Sequence, residues 1–153
     1  MSTQTPEALD DQVKQAEVMF AQGEVDPAFL LLSQVVEVNP NHARAWNDLG
    51  TVCYTRGALD YAAQFYHRAL DLEPENLVCR TNLVTLLLDR GQLVPAREVL
   101  AAGALIYPRD AALAQLEQEL ERREQIDGVL FSVADVLEPI PHAEPGATSA
   151  DAA

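Results

Sequence analysis

The chain has 153 residues and carries 24 Asp and Glu against 10 Lys and Arg, a formal net charge of −14. Apolar residues make up 48 % of it, enough for one modest core in a single domain of ordinary size. So acidic a balance excludes nucleic acid and anionic membranes as main partners, because neutralising phosphates needs clustered Lys or Arg. No apolar run reaches membrane-spanning length, so membrane insertion is not expected. The first residues, Met1 to Glu7, show neither the basic patch nor the apolar stretch of a secretory signal, which makes the cytoplasm the expected location.

The first predicted helix starts where Thr5 can cap it and Pro6 can occupy its first position, a place with no intrahelical N–H to lose. Gly23 ends it, and Asp26-Pro27 repeats the cap-and-proline signal for a second helix, which Asn39-Pro40 stops. Gly57 with Asp60 marks the same turn in the next pair, which ends at Glu73-Pro74. Gly91 and Pro95 mark the third turn, with Val94 a poor cap, and Tyr107-Pro108 closes that pair. Asp110 then caps a further helix expected to reach about Asp127, with Gly128 just beyond it. Leu113, Leu116, Leu120 and Ile126 give that helix a narrow apolar stripe, as a closing helix requires. From Gly128 to Ala153 the tail has four acids and no basic residue. Within it Val129, Leu130, Val133, Val136 and Leu137 share one helical face, Ser132 is a candidate cap and Pro139 a stop. The composition beyond Ile140 reads as disordered.

Shifted by 34 residues, the sequence aligns with itself. Pro40, Pro74 and Pro108 keep that spacing, as do Gly23, Gly57 and Gly91, and Ala28, Ala62 and Ala96. Repeats of this period signal a solenoid of stacked supersecondary units. The middle copy reads Trp46-x2-Leu49-Gly50-x2-Cys53, then Gly57, Ala62-x3-Tyr66, Ala69 and Pro74. This resembles the tetratricopeptide repeat, over roughly residues 6–110, with Cys53 in place of the family's Tyr and Tyr66 in place of its Phe. The flanking copies depart further: Gln12 and Arg80 stand where the middle copy has Trp46.

The resemblance implies an all-α fold, a right-handed superhelix of antiparallel helix pairs. Repeats are expected over about 9–42, 43–76 and 77–110, a capping helix over 110–127 and a separate tail over 128–153. Trp46, Leu49 and Tyr66 are expected to form the central core. Ala28, Ala62, Ala96, Ala69 and Gly103 fall where paired helices approach closely. Gly103 costs a helix about 1 kcal/mol relative to Ala, so close packing is its expected justification.

No catalytic constellation is visible, and neither an enzymatic activity nor a cofactor or metal is expected. His42, His67 and His142 have no paired nucleophile and no metal-ligand spacing, and read as surface histidines. Cys53 reads as a packing thiol and Cys79 as partly exposed. With parallel stacking of the first helices the two would lie about 12 Å apart along the axis at 1.5 Å per residue, too far for a disulfide.

What remains is a surface. In the resembled family the first helix of each pair lines a concave face that binds extended peptides or partner helices. That implies a lining of Lys14, Glu17 and Phe20, then Arg44, Asn47, Asp48, Thr51 and Tyr54, then Thr81, Asn82, Thr85 and Leu88. Of these, Lys14, Arg44, Asn47, Thr51, Tyr54, Thr81, Asn82 and Thr85 are the candidate peptide contacts. The family's carboxylate clamp for chaperone C-termini would need basic and amide residues at Val13, Glu17, Asp48, Val78 and Asn82, and the pattern is not met. The implied function is a non-enzymatic protein-interaction module, an adaptor or scaffold for a protein or peptide partner. The alternative is a small acidic chaperone for a secretion-system client, although that group carries an extra N-terminal helical segment ahead of its repeats. The segment 129–140 leaves three occupants open: its own solenoid, a second copy in a homodimer, or another protein.

Overall fold

A computed structural model describes residues 4–136, with side chains as far as Ser132. Seven α-helices follow one another among these residues: α1 (Pro6–Ala21), α2 (Val25–Val38), α3 (Ala43–Thr55), α4 (Leu59–Leu72), α5 (Leu77–Asp89), α6 (Leu93–Ile106) and α7 (Ala111–Val136). Each helix packs on the next in sequence, and α1 on α3, α3 on α5 and α5 on α7 make a continuous layer of first helices. The all-α solenoid of helix pairs expected from the 34-residue period is the fold observed.

The turn inside each pair is the same device three times. Gly23, Gly57 and Gly91 have φ of 84°, 75° and 68°, the left-handed conformation that favours glycine. Around Gly23 its own N–H donates to the Phe20 carbonyl at 3.0 Å and the Glu24 N–H to the Met19 carbonyl at 2.9 Å. This is a Schellman ending, in which the last carbonyls of a helix find donors just past its end. Gly57 with Ala58, and Gly91 with Gln92, repeat both bonds. The second helices consequently begin earlier than Asp26, Asp60 and Pro95 suggest, at N-caps Glu24, Ala58 and Gln92, none with a side-chain cap bond. Asp26 and Asp60 are therefore not caps. They sit in the first turn and pair with Arg56 and Arg90 of the following repeat, stapling successive turns together.

First helices are capped by side chains. Thr5 Oγ1 accepts from the Ala8 N–H at 3.3 Å, Asn76 Oδ1 from Cys79 at 2.9 Å, and Asp110 Oδ1 from Ala112 and Leu113 at 2.9 and 3.0 Å. α3 uses His42, whose Nδ1 accepts from the Ala45 N–H at 3.3 Å. That places the ring proton on Nε2, which lies 2.9 Å from Asp10 Oδ1 on α1. With a side chain only 10 % exposed, His42 is a capping and bridging group rather than a surface histidine.

Two core clusters follow one another along the solenoid. The first joins Leu9, Val13, Ala28, Leu32, Val35, Leu49 and Val52, and the second joins Tyr66, Leu83, Val84, Leu86, Leu87, Leu113 and Leu120. Leu49 and Tyr66 are 2 % exposed, but Trp46 is half-buried and lies on the rim of both clusters, against Phe65. Gly50 is required beneath Tyr66: a Cβ there would meet Tyr66 Cδ1 and Cε1 at 2.6 Å. Cys79 is fully buried, not partly exposed, and its thiol donates to the Tyr66 carbonyl at 3.3 Å. Burial pushes that thiol up to about 12, which keeps it protonated and unreactive.

The third pair replaces the indole of the second with a guanidinium. Arg80, 6 % exposed, donates through Nη2 to the Pro74 carbonyl at 2.5 Å and through Nη1 to the Val99 carbonyl at 3.1 Å. A Cβ on Gly103 would stand 2.5 Å from Arg80 Cδ and 3.1 Å from Leu113 Cδ1. Close packing does explain this mid-helix glycine.

α7 departs from expectation at its far end. Gly128 is helical, and the helix continues through Ser132 to Val136. A glycine ends a helix by turning left-handed; Gly128 does not, and its helical conformation costs about 1 kcal/mol relative to Ala. Leu113 and Leu120 are buried as anticipated, whereas Ile126, Val129, Leu130 and Phe131 are exposed, Phe131 by 75 %. The segment 129–140 is therefore no separate helix as far as Val136, and its remainder lies outside the described residues, as does His142.

Candidate functional site

The layer formed by α1, α3 and α5 carries the residues singled out from the sequence, and its side chains bond along and between helices. At the centre, Asn82 Nδ2 donates to Asn47 Oδ1 at 3.2 Å across the α3–α5 seam, and Asn47 Nδ2 donates to Asp48 Oδ1 at 3.2 Å. This amide ladder holds Asn47, 9 % exposed, in a fixed orientation. Toward α1, the Arg44 guanidinium grips Glu17 with Nε and Nη2, both at 2.7 Å, a bidentate pair. Toward α7, the Tyr54 hydroxyl donates to Asp89, and that bond, more than burial, raises the pKa of the phenol. Arg123 lies beside Asp89 at 3.8 Å and donates to the Leu88 carbonyl.

The remaining candidates are placed less favourably. Thr51 Oγ1 bonds the Asn47 carbonyl and the Tyr66 hydroxyl, at 3.2 and 3.1 Å, and so serves the core side of α3. Thr81 and Thr85 spend their hydroxyls on carbonyls of their own helix. Lys14 pairs with Asp11 on α1 and joins none of these bonds. Leu88, expected on the lining, is buried. Arg44, Asn47 and Asn82 are thus brought together as one polar seam, Tyr54 is bonded to Asp89 apart from it, and Lys14, Thr81 and Thr85 do not join it, while Thr51 meets it only through the Asn47 carbonyl.

Three concavities lie against this seam. An open cleft of about 270 Å³ is bounded by Glu17, Arg44, Asn47 and Asp48, with Asn76 and Val78 at the start of α5. A smaller cavity of about 80 Å³ between α1 and α3 is lined by Phe20, Leu32 and Val52, with Glu17 and Asp48 at its polar edge. A wider cleft of about 450 Å³ at the N-terminal ends of α1, α3 and α5 meets the seam at Arg44 and otherwise takes in Asp10, His42 and Glu73, residues not among the candidates.

Sequence reading missed Asp89, Arg123 and the His42–Asp10 bridge. A signal was present in part: Asn47 with Asn82, Tyr54 with Asp89 and Leu88 with Arg123 are each 35 residues apart, one repeat plus one. Among the described residues no three His, Cys, Asp or Glu side chains gather as a metal site. No helix among them is long and apolar enough to cross a membrane.

A family model described as tetratricopeptide repeat matches residues 54–120. These residues belong to the tetratricopeptide-repeat family. Among curated relatives, the human protein O-mannosyl-transferase TMTC1 is 34 % identical over 62 residues, 40 % of this chain and 7 % of its own length. The peroxisomal targeting signal receptor of Candida glabrata is 32 % identical over 90 residues, 59 % of this chain and 15 % of that receptor. The chain thus spans a small part of either relative. Among solved structures, the type III secretion translocator chaperone SycD of Yersinia enterocolitica superposes with a TM-score of 0.73 at 15 % identity, covering 81 % of this chain and 88 % of SycD. SycD in complex with a peptide of the translocator YopD gives 0.68 at 14 % identity, covering 84 % and 98 %. At these identities the likeness is one of fold.

Proposed function

We propose that this chain is a non-enzymatic interaction module of the cytoplasm, an adaptor or scaffold that takes an extended peptide along the α1–α3–α5 layer. The Asn47–Asn82 ladder carries this reading. Each amide nitrogen uses one N–H within the ladder and has a second, and the ladder fixes both amides before any partner arrives. Groups held in place in advance bind a peptide backbone without paying for their own ordering. Tyr54, anchored through its hydroxyl, presents its ring as an apolar contact of the kind that dominates interfaces. Glu17 and Asp48 bring acid to the place where a carboxylate clamp would need cations, so a client's C-terminal carboxylate is disfavoured there.

The test is selection of binding peptides from a random library against the full chain, followed by titration on Asn82→Ala and Tyr54→Ala. Peptides bound on this layer should lose about tenfold or more in affinity with each substitution. Equal affinity for both variants and the unaltered chain would remove the layer as the binding face.

A second reading, a chaperone for an apolar secretion client, draws on the SycD likeness over 81 % of the chain. Co-expression separates the two. A chaperone keeps one dedicated apolar client soluble, whereas an adaptor captures a partner that is already folded.

A further inference from the structure

Glu17 of α1 and Asp48 of α3 meet carboxyl to carboxyl where the 80 Å³ cavity adjoins the open cleft. Both oxygens of Glu17 already accept from Arg44. Asp48 Oδ1 accepts from Asn47, but Oδ2 is sealed from solvent and receives no donor. A carboxylate in that position would set a bare anionic oxygen against a second carboxylate, with the nearby cation already engaged elsewhere. A carboxylic acid resolves this: the proton sits on Oδ2, and the O–H donates to Glu17, whose oxygens each keep a second lone pair.

We propose that Glu17 and Asp48 form a proton-held latch between α1 and α3, closed while Asp48 carries its proton and released when it ionises. The groups facing Asp48 are Glu17 from α1, Arg44 on its own helix, Tyr66 from α4 and Cys79 from α5, while α2 contributes the apolar Leu32. Tyr66 and Cys79 are both pushed up to about 12, chiefly by burial, and stay neutral at physiological pH. Burial first, and the Glu17 charge second, push the Asp48 carboxyl up from an ordinary 3.8 to about 7. Between those values the folded chain keeps a proton that the unfolded chain has released. Stability from the latch is therefore full below the lower value and is lost as pH rises through the upper one. The latch does not depend on what fills the groove.

The direct experiment is urea unfolding of the full chain and of Asp48→Asn between pH 5 and pH 8. The asparagine amide donates to Glu17 at every pH and so imitates the closed latch. Relative to Asp48→Asn, the folding constant of the unaltered chain should fall by about a hundredfold across this range, from a single proton released over about two pH units. Every other titrating group is common to both proteins and cancels in the ratio. Glu119, held down to about 2 by hydrogen bonds from Arg122 and Arg123, acts in the opposite sense, but its contribution falls only as pH drops from its ordinary 4.5 toward 2, outside this range. Parallel profiles, or an Asp48→Asn protein less stable than the unaltered chain at pH 8, overturn the latch. Carbon-13 detection of the Asp48 carboxyl in the unaltered protein decides the matter even if the variant misfolds. An inflection at pH 6 or above supports the latch, and one below pH 6 overturns it; Glu17→Gln should move a supporting inflection downward.

Discussion

Positions 46 and 80 occupy the same place in successive repeats and solve the same problem with different chemistry. Trp46 Nε1 donates to the carbonyl of Pro40, six residues back, at 2.8 Å, and Arg80 Nη2 donates to the carbonyl of Pro74, also six residues back. Each carbonyl lies just past the end of the preceding helix, where orphan acceptors collect and the helix dipole is negative. The place therefore calls for a long side chain ending in an N–H donor, and both an indole and a guanidinium meet that requirement. Their neighbours differ accordingly. Trp46 packs on Phe65 with ring centroids 5.5 Å apart and the planes tilted by 36°, whereas Arg80 threads its stem past Gly103 to a second carbonyl, that of Val99. In the middle repeat the residue matching Gly103 is Ala69, so the added methyl is tolerated only where no arginine stem passes.

The largest way to break the comparison is to truncate both members. Trp46→Ala removes an aromatic that touches both core clusters and should cost about 4 kcal/mol, measured by urea unfolding. A loss under about 1 kcal/mol would mean that Phe65 and the neighbouring helices close over the gap. Arg80→Ala should cost about 3 kcal/mol, since it removes a buried stem and strips donors from the carbonyls of Pro74 and Val99 together. A nearly neutral result would show that water replaces the guanidinium and that burial of this cation contributes nothing to the third repeat.

A sharper test couples Arg80 to its glycine. Gly103→Ala in the unaltered chain forces a Cβ to within 2.5 Å of Arg80 Cδ and should cost about 2 kcal/mol, despite the better helix propensity of alanine. In an Arg80→Ala background that obstruction is gone, and the same substitution should stabilise by about 0.5 kcal/mol or more. A double-mutant cycle measures the difference, and additive effects would separate Gly103 from Arg80.

How much of this was legible in the sequence follows from what repeats and what does not. The glycine turns and the helix pairs recur every 34 residues, so periodicity exposed them, and the Thr5 and Asp110 caps follow from side-chain chemistry alone. Arg80 was visible only as a departure from the motif, because a buried guanidinium depends on carbonyls from two other segments that no local pattern shows. The polar seam was half legible. Asn47 and Asn82 were marked by residue type, but their pairing depends on a one-residue offset between stacked helices, and so does that of Tyr54 with Asp89. Thr51, Thr81 and Thr85 were marked by position and misread in role: a helical threonine readily turns its hydroxyl to the carbonyl three or four residues back, and these do. Gly128 misled for a related reason, since a glycine permits a helix to end without requiring it to.

The smallest effect isolates the donor from the ring. Trp46→Phe keeps an aromatic against Phe65 and deletes only the Nε1 bond to Pro40, so it should cost about 1 kcal/mol. Arg68 Nη2 stands 3.4 Å from the same carbonyl and can take up part of the lost interaction, which keeps the expected cost small. Arg68→Ala alone should be close to neutral, because the indole still serves Pro40. Combined with Trp46→Phe it should cost more than the sum of the two, by about 0.5 kcal/mol or more, since the carbonyl then has neither donor. If the pair proves additive, the indole holds its place by packing alone. The likeness between positions 46 and 80 would then be one of geometry without shared energetics.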